Sequence, residues 1–359
     1  MSSAAKKVMQ AAAGAGGGQA AGNYIAVSHE GRVSILDHTT PGSLSFAAGV
    51  TSGFSSGGNP RGLNYSPDGN YLAVPQVRNP HSFTLINLTS FPGSVSVAAT
   101  YTGDGNGMSC AYGPDGVNYI ALAHKTSGTS GDNFTLLNNS TASSVSYSDS
   151  YLLGSASGGS NRPGGNGVAW TPDGNYIAVG CSGFNSSPDF TMLSRSGGSV
   201  SRASDFSSIG NNCSAVAMSP NGSYIAAASE STPHFKLLSR SGSSVSLAAT
   251  YAVASYVIGA RSASWSPDGN YIAVAHYGSP YFTLIDHTSA GSLSMAATYT
   301  LGGNGYGTAF HPEGNYIGVT TNGSATFTLL NHSSGSVSKA ATYTLSSSVN
   351  DGACDFSPN

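Results

Sequence analysis

Charge is what this chain has least of. Only 8% of its 359 residues are charged, against roughly a quarter in an ordinary soluble domain. The 13 basic and 16 acidic residues leave a formal charge of -3. That balance argues against a basic nucleic-acid-binding surface. The hydrophobic content of 39% separates the chain from charged, disordered sequences, which cannot bury a core. Long apolar runs are also missing, so no membrane span is expected. There are 4 cysteines, Cys110, Cys181, Cys213 and Cys354. None forms a C-x-x-C pair, and they read as small buried hydrophobes with no metal role. A disulfide between Cys181 and Cys213, on one face of neighbouring units, is not expected. Beyond residue 21 no helical periodicity appears.

What is present is one phrase written repeatedly. SPDGNYIAVAH, Ser266 to His276, has close copies throughout. The tyrosine of its N-Y-I-A core falls at Tyr24, Tyr71, Tyr119, Tyr176, Tyr224, Tyr271 and Tyr316. The intervals are 47, 48, 57, 48, 47 and 45 residues, a period that indicates a solenoid or a propeller. Each unit carries four strand signals. A small apolar strand comes first, then a turn written SPDG, TPDG, GPDG, SPNG or HPEG. A YIAVAH-like strand, an FTLIDH-like strand and an SLSMAATYT-like strand follow. Proline presets the first central φ of the turn, Asp or Asn suits the next position, and Gly closes it. Strands joined this way are antiparallel neighbours, and four per repeat make a propeller blade.

The chain ends Ser357-Pro358-Asn359, while the repeating region begins Gly22-Asn23-Tyr24. Joined, these read S-P-N-G-N-Y, the missing turn. The C-terminus is therefore expected to supply the innermost strand of a blade whose other three strands are N-terminal. Such a split blade closes the ring and removes an open sheet edge. The expected fold is all-β, a seven-bladed β-propeller of four-stranded antiparallel blades over 22–359, preceded by an N-terminal helix and Gly-rich arm over 1–21.

On these turns, strands and the split blade, residues 22–359 resemble the WD-repeat-like family of β-propellers. The resemblance implies the fold only, because propellers host enzymes, scaffolds and adhesins. The Trp-Asp dipeptide of true WD repeats is missing. Two residues before each turn proline stand Tyr65, Tyr112, Trp170, Met218, Trp265, Phe310 and Phe356, each preceded by a small or short polar residue. A large residue of one blade is thus expected to meet a small one of the next, which makes Trp170 and Trp265 packing residues.

The uniform turns read as structural, and the opposite face, with loops of varied length, as the binding face. At the mouth of the central channel stand Arg61, Met108, Asn166, Ser214, Arg261, Tyr306 and Gly352. Ligand-binding residues are expected to be Arg61, Asn106, Arg162, Asn212, Arg261, Asn304, Tyr306 and Asp351, since amides and guanidinium groups suit sugars or carboxylates. Asp351 is the lone acid of this rim, so no catalytic set is expected. His29, His124 and His276 end the second strands of non-adjacent blades and are expected to be solvated. No nucleophile elbow, P-loop or dinucleotide motif occurs, and neither cofactor nor metal is expected.

The opening MSSAAKKVMQAAAGAGG, ahead of a low-charge β domain, resembles the start of structural proteins from tailed bacteriophages. That resemblance implies anchoring through Lys6, Lys7, Val8 and Met9 to other virion proteins, with the propeller facing a host-surface glycan or receptor. The function expected first is thus a non-enzymatic virion module. A bacterial interaction scaffold, in the cytoplasm or at the cell surface, and a lactonase- or lyase-type enzyme are the alternatives.

Overall fold

A computed structural model describes residues 23–54, 59–77, 82–103, 105–126, 132–141, 143–153, 164–182, 188–210, 212–253, 259–324, 326–349 and 351–358. The expected arm, with Lys6, Lys7, Val8 and Met9, lies outside the described residues, as does Arg162. All regular structure among the described residues is β-strand, arranged as seven antiparallel sheets. Blade 3 is representative, with Gly105–Tyr112, Tyr119–Thr126, Phe134–Asn138 and Ser146–Tyr151 in spatial sequence. Blade 2 differs in that its first strand is broken into Asn59–Pro60 and Asn64–Tyr65.

Blade 1 is the split blade. Cys354–Phe356 pairs with Tyr24–His29, in the register Ile25 to Phe356 and Val27 to Cys354. Arg32–Asp37 and Ser45–Val50 complete the sheet. The backbone closes further at Ser28 N to Ala353 O, 2.9 Å, and Ser357 N to Tyr24 O, 2.9 Å.

The first strands of all seven blades surround one axis, and their small residues set how closely they approach. A Cβ on Gly167 would lie 2.8 Å from the Ala215 Cα, and one on Gly307 2.8 Å from the Ala353 Cα. Second and third strands are covered on both faces by neighbouring blades. This explains their continuous apolar text, with Ile25, Leu72, Ile120, Ile177, Ile225, Ile272 and Ile317 fully buried. Fourth strands alternate, as strands with one wet face do.

The repeated turns share one mechanism. In Ser66–Asn70 the Gly69 amide donates to Ser66 O at 2.9 Å, and Gly69 takes φ +72°. The Asp68 carboxylate accepts from the Ser66 hydroxyl at 2.6 Å and the Asn70 amide at 3.1 Å. Left-handed φ is cheap only for glycine, which fixes that residue in each copy.

Trp170 and Trp265 pack between blades as expected. Trp170 Nε1 donates to Ala111 O of the preceding blade at 2.9 Å, and Trp265 Nε1 to Ala217 O at 3.0 Å. On the turn face of blades 4 to 7, the side chain at the third-strand end, Arg195, Arg240, His287 or His332, ties the blade to its own turn carbonyl. Arg195 Nε donates to Gly174 O at 2.8 Å and Arg240 Nη1 to Gly222 O at 2.7 Å. His332 Nδ1 lies 2.6 Å from Gly314 O. The same side chains reach the repeat tyrosine of the blade before. Arg195 lies over Tyr119, Arg240 over Tyr176, and His332 edge-on to Tyr271. The N-Y tyrosine recurs partly because it supplies this contact surface.

Candidate functional site

First strands from all seven blades line one cavity of about 460 Å³ on the ring axis. Position in the repeat explains most of its wall. Arg61, Met108, Asn166, Ser214, Arg261, Tyr306 and Gly352 occupy the equivalent place six residues before each turn proline, and all seven line it. Two further charged side chains, Lys125 and Glu230, come from the ends of second strands.

The charges are organised as two ion pairs and one lysine. Arg61 Nη1 meets Asp351 Oδ2 at 2.8 Å, linking blade 2 to the segment before the closing strand. Asp351 has φ +59°, a left-handed conformation that aspartate accepts better than most residues. The Arg261 guanidinium is paired with the Glu230 carboxylate. It lies 4.2 Å over the Tyr277 ring, which meets Tyr306 edge-to-face at 5.4 Å. Each pair is about one-third exposed, so each remains within reach of a ligand. The Nε atoms of Arg61 and Arg261 are buried and without a hydrogen-bond partner.

Lys125 makes no hydrogen bond or ion pair among the described residues. Its stem lies across Gly164, where a Cβ would come within 2.3 Å of the Lys125 Cγ. Burial lowers its pKa from 10.5, with Arg61 adding to the effect. In the adjacent blade the Asn166 side-chain amide donates to Asn212 Oδ1 at 2.5 Å and Cys213 O at 3.1 Å. The buried Asn166 Oδ1 is left as an unused acceptor.

The cavity floor holds an unexpected carboxylate. Asp355 occupies the register position filled by Asn64, Ala111, Ala169, Ala217, Ser264 and Ala309 elsewhere. Its Oδ2 accepts from Tyr65 N at 2.9 Å and Asn64 Nδ2 at 3.1 Å, across the joint between blades 1 and 2. Asn64 passes the device on, accepting from Tyr112 N at 2.8 Å. Burial pushes the Asp355 pKa up to about 6, although these donors oppose the rise.

Of the residues expected to bind a ligand, Arg61, Asn212, Arg261, Tyr306 and Asp351 line the cavity. Asn106 and Asn304 lie outside the lining. Asn106 is paired with Lys125 in the blade 3 sheet. Asn304 donates its amide to Asn322 Oδ1 at 2.9 Å. Sequence reasoning missed Lys125 and Glu230 because it followed only the first-strand column. Both stand six residues after a repeat tyrosine, and that column would have exposed them in a chain so poor in charge.

The three second-strand histidines correct the expectation of solvated positions. His29, His124 and His276 are buried, and each points Nε2 at a third-strand hydroxyl. Those hydroxyls are Ser34 at 2.8 Å, Thr135 at 2.9 Å and Thr283 at 3.1 Å. Burial lowers His29 and His276 to about 4, so they are neutral packing groups at pH 7. All four cysteines are buried and free. Among the described residues no three His, Cys, Asp or Glu side chains converge as a metal site.

No protein-family model and no curated protein matches the sequence. Solved structures do match the fold. One is a candidate 6-phosphogluconolactonase from Bacteroides uniformis ATCC 8492, with TM-score 0.75 and 14% identity, covering 91% of this chain and 98% of that one. The periplasmic gluconolactonase PpgL of Pseudomonas aeruginosa aligns with TM-score 0.65 and 13% identity, over 91% and 98% of the two chains. The Swd1 β-propeller domain of Myceliophteria thermophila aligns with TM-score 0.61 and 14% identity, over 84% and 90%. The chain is thus a seven-bladed β-propeller, similar in fold both to gluconolactonases and to a WD-repeat-type domain.

These neighbours overturn the expectation of a non-enzymatic virion module, since the fold is one that gluconolactonases share. The physical reason lies in the cavity. An enzyme looked unsupported when Asp351 was the lone acid of the rim. Folding brings Glu230, Lys125 and both arginines to the same space.

Proposed function

We propose that the chain is a lactone hydrolase acting on a small, anionic, sugar-derived ring ester. The observation that carries this reading is the convergence of Arg61–Asp351, Arg261–Glu230 and Lys125 on one axial cavity. The shared fold with gluconolactonases supports it by analogy.

The cavity chemistry suits the reaction. Lys125, Arg61 and Arg261 stand against Glu230 and Asp351 at the rim and Asp355 deeper in the wall, so an anionic group is recognised by the guanidinium groups and not by net charge. A substrate carboxylate or phosphate is held by a guanidinium group, for which bidentate pairing is the strong geometry. The Asn166 Oδ1 acceptor and the Tyr306 hydroxyl take ring hydroxyls. Glu230 or Asp351 accepts a proton from water as the water oxygen bonds to the lactone carbonyl carbon. The carbonyl electron pair moves to oxygen, and the neighbouring guanidinium stabilises that oxyanion. The C–O ring bond then breaks as the oxyanion collapses. The leaving alkoxide takes the proton back, and the product is a hydroxy acid.

A pH-stat assay tests this against the spontaneous hydrolysis of glucono-1,5-lactone and its 6-phosphate. Acid release well above the buffer blank, saturating with substrate, is expected. Rates equal to the blank for every lactone tried would overturn the reading.

A further inference from the structure

Lys125 has a property that lactone hydrolysis does not use. It is the one lysine on the cavity wall among the described residues, and among them its amine has no hydrogen-bond or ion-pair partner. The other described lysines differ. Lys236 is buried and donates to Ile209 O at 2.6 Å. Lys339 stands on an outer strand, in the sheet register opposite Leu330. The Lys125 stem lies against Gly164, where a Cβ would come within 2.3 Å of its Cγ and 3.1 Å of its Cδ and Cε. Lys125 lines the polar cavity, with Arg61, Arg261, Glu230 and Asp351 all acting on its amine electrostatically.

We infer that Lys125 is a covalent binding site for small anionic carbonyl compounds, aldehydes or 2-oxo acids bearing a carboxylate. This activity goes beyond the lactonase reading by adding the Lys125 amine to the arginines and rim carboxylates which that reading already uses. An amine near other cations and away from bulk water releases its proton more readily, which is how lysine nucleophiles are activated. The carboxylate of the compound pairs with Arg61 or Arg261. The Lys125 nitrogen lone pair forms a C–N bond to the carbonyl carbon as the C=O π pair moves to oxygen. Nitrogen loses its two protons in turn to a rim carboxylate or water, and the carbinolamine oxygen gains two in all. The C–O bond breaks, water leaves, and an imine remains. No oxidant or reductant takes part.

The test uses the intact protein with glyoxylate and sodium cyanoborohydride, which reduces the imine to a stable amine, followed by peptide mapping. Lys125 is expected to be modified measurably faster than Lys339 at pH 7, because burial lowers its pKa and leaves more of it as free amine, and because the neighbouring guanidinium groups hold the carboxylate. Propionaldehyde, which lacks the carboxylate, is expected to lose most of that preference. Lys125→Arg is expected to leave only the slow background. Equal labelling of Lys125 and Lys339, or the same preference with propionaldehyde, would overturn the inference. Since wild type carries the comparison, a variant that fails to fold does not obscure it. Lactone turnover is measured separately, so either reading can fail alone.

Discussion

Asp355→Asn should remove a pH dependence that is built into the ring closure. The Asp355 pKa moves from 3.8 to about 6 on folding. Between those values the folded chain holds a proton that the unfolded chain has released. Stability from this group is therefore full below about pH 4, falls as pH rises towards 6, and stays low above. Two units at about 1.36 kcal/mol each set an upper limit of about 3 kcal/mol. Part of Asp355 faces the cavity, where water screens it, so the effect lies below that limit. With an unfolding entropy of about 2.1 cal/mol/K per residue, 3 kcal/mol corresponds to a Tm shift of about 4 °C. Thermal melts of wild type and Asp355→Asn at pH 4 and pH 7.5 isolate the term. Other carboxylates, such as Asp173, Asp268 and Asp286, have lowered pKa values. They favour the folded state as pH rises, and they cancel in the comparison. Wild type should lose up to about 4 °C more than the variant between the two pH values. Equal shifts in both proteins, or a greater loss in the variant, would refute the assignment.

Three further outcomes follow from the same geometry. Trp265→Phe keeps most of the inter-blade packing but loses the bond to Ala217 O, and should cost about 1 kcal/mol in urea unfolding. Trp265→Ala should cost about 3–5 kcal/mol, and similar values for the two variants would contradict the packing role. Removal of residues 354–359 exposes the Tyr24–His29 edge, so light scattering should show self-association of the truncated chain. Arg261→Ala leaves Glu230 without its cation and should lower kcat/KM for an anionic lactone by about 10²-fold. An unchanged value would take Arg261 out of the reaction.

The architecture was legible because it is repeated. One turn with one glycine conformation appears along the chain, and Ser357-Pro358-Asn359 fits the gap before Gly22-Asn23-Tyr24. Packing was legible too, where a large residue such as Trp170 faced a small one such as Ala111. The site was only half legible. Arg61, Arg261 and Tyr306 share a column with a fixed offset from the turn, and so could be placed on the axis. Glu230 and Lys125 sit on other strands, and their meeting with that column depends on the twist and tilt of blades. Asp355 looked like one of several short residues. Its position, in the closing strand and against Tyr65 N, makes it a buried acceptor. The histidines show the opposite effect. His29, His124 and His276 read as polar strand ends, but the third strand covers each and supplies a hydroxyl.

The most direct test of the central claim is a pH-stat comparison of wild type with Glu230→Gln on a phosphorylated glucono-lactone. The glutamine keeps size and hydrogen bonding but cannot take a proton from water. Saturable hydrolysis by wild type, with kcat reduced about 10²-fold or more in the variant and KM little changed, is predicted. Hydrolysis that is no faster than the buffer blank for wild type would contradict a lactonase centred on this cavity, and equal rates in both proteins would contradict Glu230 as its base.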